Sequence, residues 1–324
     1  MTARAMFEPR RGRAILMLLL ATAAWGFSFP GGKALMAAME VALPGRSSWF
    51  YSSLTICGRF GLAALLLWLV QPKVWARVTA NEWRQGIGLG VFGGLGMMFQ
   101  TDGLAHTAAS TSAFLTQFAA VLVPIVVALR DRRLPPLRTM LCVAMVMAGC
   151  AILGRFDFAA LRLGRGEVET LLGSVFFTGQ ILTLERREWA GNRSGRVSVV
   201  MFATVAVVLA PVLLAHTQHA ADLGVLASSG PMLALFVAGT LVCSIFAFVM
   251  MNRWQPHVDA TTAGIVYCAE PLFATAFALF LPAWLGSFVG VAYANECFTP
   301  HLLVGGGLIT AANVLISLQA APQG

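Results

Sequence analysis

Two charged side chains stand where charge is costly. Arg59 and Glu270 each fall about nine residues inside a long apolar run. At the helical rise of ~1.5 Å per residue, each lies ~13 Å from one end of its run, near the middle of a ~30 Å hydrocarbon layer. A carboxylate at that depth stays charged only beside a partner, and otherwise takes up a proton. Glu270 is therefore a candidate coupling or gating group, with Arg59 as its candidate partner. The structural alternative makes Glu270 a cap for backbone groups freed by Pro271, and Arg59 an anchor between helices.

A second feature is Phe29-Pro30-Gly31-Gly32-Lys33. Proline removes a helix donor and paired glycines weaken the turn, so the pattern predicts a break in the first apolar run. Non-helical backbone at that depth survives where it lines a cavity, and there Lys33 would meet an anionic group. The alternative is a kink with Lys33 reaching outward to headgroups. Trp25, Gln100, Gln117, Gln180, Tyr267 and Asn313 are further candidates for lining a cavity. Each amide has the alternative of satisfying the backbone of a neighbouring helix. Asp102, His106 and Glu169 stand near run ends and read as rim residues within reach of water. Gly86, Gly90 and Gly94 recur every fourth residue, and Gly305-Gly306-Gly307 lies in the last run. Such stripes serve close packing inside a bundle or a homodimer contact.

The elements that must hold these groups are set by composition. The chain has 324 residues, 58% hydrophobic and only 11% charged, with a mean hydropathy of +0.78. A soluble domain carries roughly 25% charge, so the solvent of this chain is lipid. Ten continuously apolar runs predict an all-α membrane protein. They are 14–38, 50–70, 85–105, 109–129, 139–154, 168–184, 197–215, 232–251, 261–281 and 299–318. Transmembrane strands would alternate apolar and polar residues, and these runs do not. The first run continues well beyond Ala21-Thr22-Ala23, which argues against a cleaved signal.

The net charge of +8 does not point to nucleic acid, because the arginines cluster between runs as topology signals. Arg10, Arg11 and Arg13, the 130–138 group and the 186–196 group share one side, which places both termini in the cytoplasm. Few basic residues, among them Arg46, Arg155 and Arg162, fall on the other side. The charged segment 155–167 divides the chain into two halves of five runs. Five is odd, so the halves insert in opposite senses, as in carriers with a site at the repeat interface.

Four stretches carry a family likeness: Trp25-Gly26-x-x-Phe29-x-x-x-Lys33, Cys57-Gly58-Arg59-Phe60-Gly61-Leu62-Ala63-Ala64, Thr111 through Pro124, and Ala269-Glu270-Pro271-Leu272-Phe273-Ala274. In this order within ten runs, they resemble the EamA-type members of the drug/metabolite transporter superfamily. The resemblance implies two EamA-like repeats, 14–154 and 166–318, and a carrier of small metabolites or drugs in a bacterial inner membrane, often working outward. This chain departs from the family pattern at Val123, which precedes its proline in place of the family's Glu, at Arg130-Asp131-Arg132-Arg133, which replaces the family's Gly-Glu, and in an apparent insertion over 281–295.

The sequence holds no Walker A motif, no HExxH and no GxSxG, so ATP drive, metalloprotease and serine hydrolase chemistry lack their residues. Six scattered cysteines and the His216/His219 pair show no metal-ligand spacing. The expectation is no enzyme, no cofactor and no metal, with the lipid bilayer and a small-molecule substrate as partners. The competing class, a membrane-embedded enzyme acting on lipid, would need a cluster of acid/base residues at one membrane face.

Overall fold

The computed structural model describes residues 4–107, 109–153 and 164–318, and all regular structure among them is helical. The helices are α1 (Arg4–Ala42), α2 (Ser48–Val70), α3 (Ala80–His106), α4 (Ala109–Thr116), α5 (Ala119–Asp131), α6 (Leu137–Leu153), α7 (Arg165–Glu185), α8 (Ser194–His216), α9 (Gly230–Gly239), α10 (Ala247–Trp254), α11 (Ala260–Tyr267), α12 (Glu270–Ala278), α13 (Leu281–Val289) and α14 (Pro300–Ser317). A π-helical turn, Thr240–Phe246, joins α9 to α10 without a gap. Polar side chains fix several starts. Ser47 caps α2, Thr79 and Glu82 form a reciprocal capping box on α3, and Asp259 caps α11. Each satisfies backbone donors that a helix N-terminus leaves open.

Six helical segments are long and apolar enough to cross a membrane: Arg11–Ala42, Ser48–Val70, Phe114–Asp131, Ser194–His216, Gly230–His257 and Pro300–Ser317. A seventh forms if Ala260–Ala278 and Leu281–Val289, bent by 68°, count as one span. The remaining predicted spans fall short of that standard for visible reasons. At 17 residues, α6 is short. Glycines and buried polar residues dilute the hydropathy of α3 and α7, although both are long. Of the segment expected to divide the halves, residues 155–163, with Arg155 and Arg162, lie outside the described residues, and Arg165 to Glu167 open α7.

The expected break in the first run does not occur. Residues 29–33 are helical, and α1 runs unbroken from Arg4 to Ala42. Packing of α1 along α10, α12 and α13 holds the turn that Pro30 and the glycines weaken. The interruptions fall elsewhere, at Gln117-Phe118 between α4 and α5 and at Cys268-Ala269 between α11 and α12.

The most extensive packing joins helices before the undescribed segment to helices after it: α3 with α7 and α8, α2 with α8, α6 with α14, and α1 with α12. Glycine makes the α3 contacts close. A Cβ on Gly86 would fall 2.5 Å from the Val200 Cβ, and one on Gly90 2.5 Å from the Thr204 Cβ. In α6 and α14, Gly149 and Gly305 face each other's backbone at distances a methyl group would not tolerate. The glycine stripe of α3 is thus used inside the bundle and is not free to form a dimer contact. An aromatic cluster of Phe60, Phe202 and Phe248, with ring centroids 5.3–6.5 Å apart, ties α2, α8 and α10 together. The first turns of α1 meet the end of α14, where the Arg11 guanidinium donates to the Ser317 and Ile316 carbonyls.

Candidate functional site

The two helix breaks face a common cavity of about 70 Å³, lined by Trp25, Thr116, Gln117, Phe177, Gln180, Tyr267 and Glu270 among others. A helix break releases backbone groups and turns the side chains beside it toward the bundle axis. Gln117 sits at the first break and Glu270 opens the helix after the second, and both line the cavity. From α1, the Trp25 ring meets Tyr267 edge-on at 5.4 Å and Phe248 at 5.0 Å. Its indole N–H has no acceptor among the described residues.

Neighbouring residues hold this wall in place. The Tyr267 hydroxyl donates to Gln255 Oε1 at 2.8 Å, and Gln255 Nε2 donates to the Ile181 carbonyl at 2.8 Å. Gly93 and Gly96 of α3 leave room for the side chains of Gln180 and Phe177 on α7, positions a β-carbon would occupy. The result is one carboxyl group and two amides among aromatic rings, contributed by α1, the α4–α5 break, α7, α11 and α12. Such a wall suits a small solute that is apolar over part of its surface and polar at one or two points.

Of the nine sequence-predicted residues, Trp25, Gln117, Gln180, Tyr267 and Glu270 converge on this cavity. Gln100 stands just behind it, donating to Thr116 Oγ1 at 3.2 Å. Arg59 does not pair with Glu270; its Nε donates to Ser244 Oγ at 3.1 Å, and it lines a separate pocket. Lys33 is exposed, with its ammonium 5.5 Å from the Tyr293 ring, outside both pockets. Asn313 donates to the Ile309 carbonyl of its own helix. Sequence reasoning did not single out Thr116, Phe177 or the anchor Gln255. A polar residue beside Pro256 at a helix end was the available signal for Gln255.

The rim reading of Asp102 and Glu169 needs correction. Asp102 has no exposed surface and Glu169 is buried. Asp102 accepts from Arg165 Nη2 at 2.6 Å and from Ser48 Oγ at 2.7 Å, and Arg165 Nε donates to Glu169 at 2.8 Å. Nearby, Thr107 donates to Glu167, and Arg46 grips Asp222 at 2.9 Å. This network joins α2, α3 and α7 at one end of the bundle. At the opposite end, Arg130 pairs with Glu185 at 2.8 Å, and Glu185 also accepts from the Ala260 amide, so α5, α7 and α11 meet. Glu82 accepts from the Thr79 and Arg193 amides and from Arg196.

Outside the spans these partners set the titration of the carboxyls. The Arg46 guanidinium holds Asp222 below the usual carboxylate range. Burial pushes Glu82 up, but its amide and Arg196 hydrogen bonds together outweigh burial and leave it low. Hydrogen-bonded charge thus ties the helices together at both ends of the bundle.

Comparison with known proteins agrees with this architecture. Residues 12–155 match the EamA-like transporter family. A protein of Archaeoglobus fulgidus, named an uncharacterized transporter, is 24% identical over 312 residues, covering 96% of this chain and 87% of its own length. A solved structure whose title says only that it is the crystal structure of a protein superimposes with a TM-score of 0.65 at 19% identity, over 96% of this chain and 99% of that one. The last is a likeness of fold.

Proposed function

We propose, from the match of residues 12–155 to the EamA-like transporter family, that this chain is a multi-pass membrane transporter, a secondary carrier exporting a small solute by alternating access. The observation that carries the reading is the cavity itself. Five helical segments from both parts of the chain place Trp25, Gln117, Gln180, Tyr267 and Glu270 around one space of about 70 Å³. The space is too small for a drug-sized ligand, which needs roughly 300 Å³ or more. In the proposed cycle it is the closed form, and it widens when the ties at one end of the bundle open.

The reading includes ten spans arranged as two oppositely inserted repeats, 14–154 and 166–318, in a bacterial inner membrane with both termini cytoplasmic. Two features support it: the paired breaks in the fourth and ninth runs, and the meeting of Arg11 with the end of α14. Glu270 is the group that engages the solute and exchanges a proton, because it is the carboxyl group in the cavity wall.

Cells overproducing the chain, challenged with a panel of toxic metabolite analogues, would identify the solute as the compound they resist. Flux of that compound in proteoliposomes is then measured with and without a pH gradient. We expect Glu270→Gln to fold, to abolish the response to the gradient, and to reduce flux at least tenfold. Wild-type flux in this variant would overturn the assignment of the cavity.

A further inference from the structure

Beside the central cavity, a pocket of about 20 Å³ is bounded by Ser28 and Gly31 of α1, Thr55 and Arg59 of α2, and Gly239 and Cys243 at the π-helical turn. Three observations single it out. First, Arg59 lies deep in an apolar helix with no carboxylate partner among the described residues. Its Nε donates to Ser244 Oγ, while neither terminal nitrogen has an acceptor there. A guanidinium presents a planar fork of donors, and leaving most of them unmatched at this depth is unfavourable. Second, the Thr55 hydroxyl lines the same pocket, buried and without a hydrogen-bond partner among the described residues. Third, the opposite wall includes a π-helical turn, a rare distortion that often marks functional sites. Small residues at Gly31 and Gly239 keep the space before the guanidinium open.

A fork of two N–H donors, a hydroxyl and little volume match one ligand chemistry, a planar oxyanion held in bidentate fashion. We infer that the Arg59 pocket binds a carboxylate group, with Arg59 as its fork and Thr55 as a further donor. Ser28 of this pocket and Trp25 of the central cavity stand three residues apart on one face of α1. The two pockets are therefore near enough for one solute to carry its carboxylate to Arg59 while the rest of it occupies the central cavity. That last step rests on the transport reading of the cavity; the anion site does not.

The test uses the full chain purified in detergent, with thermal melting in sodium formate or sodium acetate against sodium chloride at equal ionic strength. The wild type is expected to melt higher in the carboxylates, saturably. Arg59→Gln should lose this response, Thr55→Val should weaken it several-fold with the fold intact, and Glu270→Gln should keep it. An equal response in chloride, or a wild-type response in Arg59→Gln, would overturn the proposal. If Arg59→Gln does not fold, loss of response in Thr55→Val and Arg59→Lys supports the proposal, and a full response in both overturns it. Proteoliposome flux then separates the sources of the carboxylate. A raised KM in Arg59→Lys for a carboxylate-bearing solute, but not for its methyl ester, identifies the solute's own group. Competition by free formate without that difference identifies a separate anion at the same site. If flux is insensitive to Glu270→Gln while the formate response persists, the transport reading fails and the anion site stands.

Discussion

Gly264 allows the cavity to be tested with opposite signs for stability and transport. It lies inside α11 on the cavity wall. A β-carbon there would meet Ala120 Cα at 3.7 Å and the Val123 side chain at 3.9 Å, ordinary contact distances. Gly264→Ala should therefore fit without strain and gain the helix preference of alanine, about 0.5–1 kcal/mol. In a chain of this size that is a rise in Tm of about 1–3 °C. The added methyl has roughly the ~30 Å³ of a water molecule, against a cavity of about 70 Å³. A solute that must share this space meets overpacking of about 1–3 kcal/mol, which corresponds to a roughly 5- to 150-fold loss of affinity. Melting can be followed with a thiol-reactive dye, since Cys142, Cys150, Cys243 and Cys268 are buried, and transport by proteoliposome flux. Gly26→Ala is the contrast. Its β-carbon would fall 2.6 Å from Phe273 Cβ and 2.9 Å from the Ala274 nitrogen, so this variant should melt lower. Unchanged flux in Gly264→Ala with a raised Tm would refute the cavity as the transport site. A lowered Tm would refute the steric reasoning.

Two further outcomes are expected. Tyr267→Phe removes the donor to Gln255, which is almost fully buried, and should cost about 1–3 kcal/mol for the unmatched amide oxygen; an unchanged melting curve would show that Gln255 finds another partner. Asp222 titrates below its ordinary value because of Arg46, so its contribution is complete above the unfolded value of about 3.9 and is lost as pH falls through the lower folded value. The Tm difference between wild type and Arg46→Met should be constant from neutral pH to about 5 and shrink only below about 4, and a difference that changes near neutrality would contradict the assignment.

Much of the cavity was legible because a polar group in a long apolar run has few places to go. Trp25, Gln117, Gln180, Tyr267 and Glu270 were found by that reasoning alone, and they share one wall. Where the reading failed, packing overrode local chemistry. Pro30 with two glycines is a strong breaker sequence, yet neighbouring helices keep α1 continuous. Gln117-Phe118 contains no breaker, yet the helix stops there. Asp102 near a run end suggested water, but Arg165 and Ser48 gave it partners inside the bundle. The pairing of Arg59 with Glu270 assumed that opposite charges at equal depth meet. Depth fixes only one coordinate, and the position of each helix around the bundle axis is not encoded in its own hydropathy. The apparent insertion at 281–295 begins with a short helix, α13, folded back at 68° from the one before it.

The glycine seam of α3 has a mechanical consequence. Side chains of α7 and α8 seat directly on the α3 glycines over several turns, and surfaces interlocked in this way slide poorly. They act as an axle laid across the two parts of the chain. In the proposed transport cycle, opening toward either side would be a swing of the outlying helices about that axle. The interrupted pairs α4–α5 and α11–α12, each with a joint at its centre, are the arms best able to bend. Stiffening a joint should slow turnover without loosening the hub.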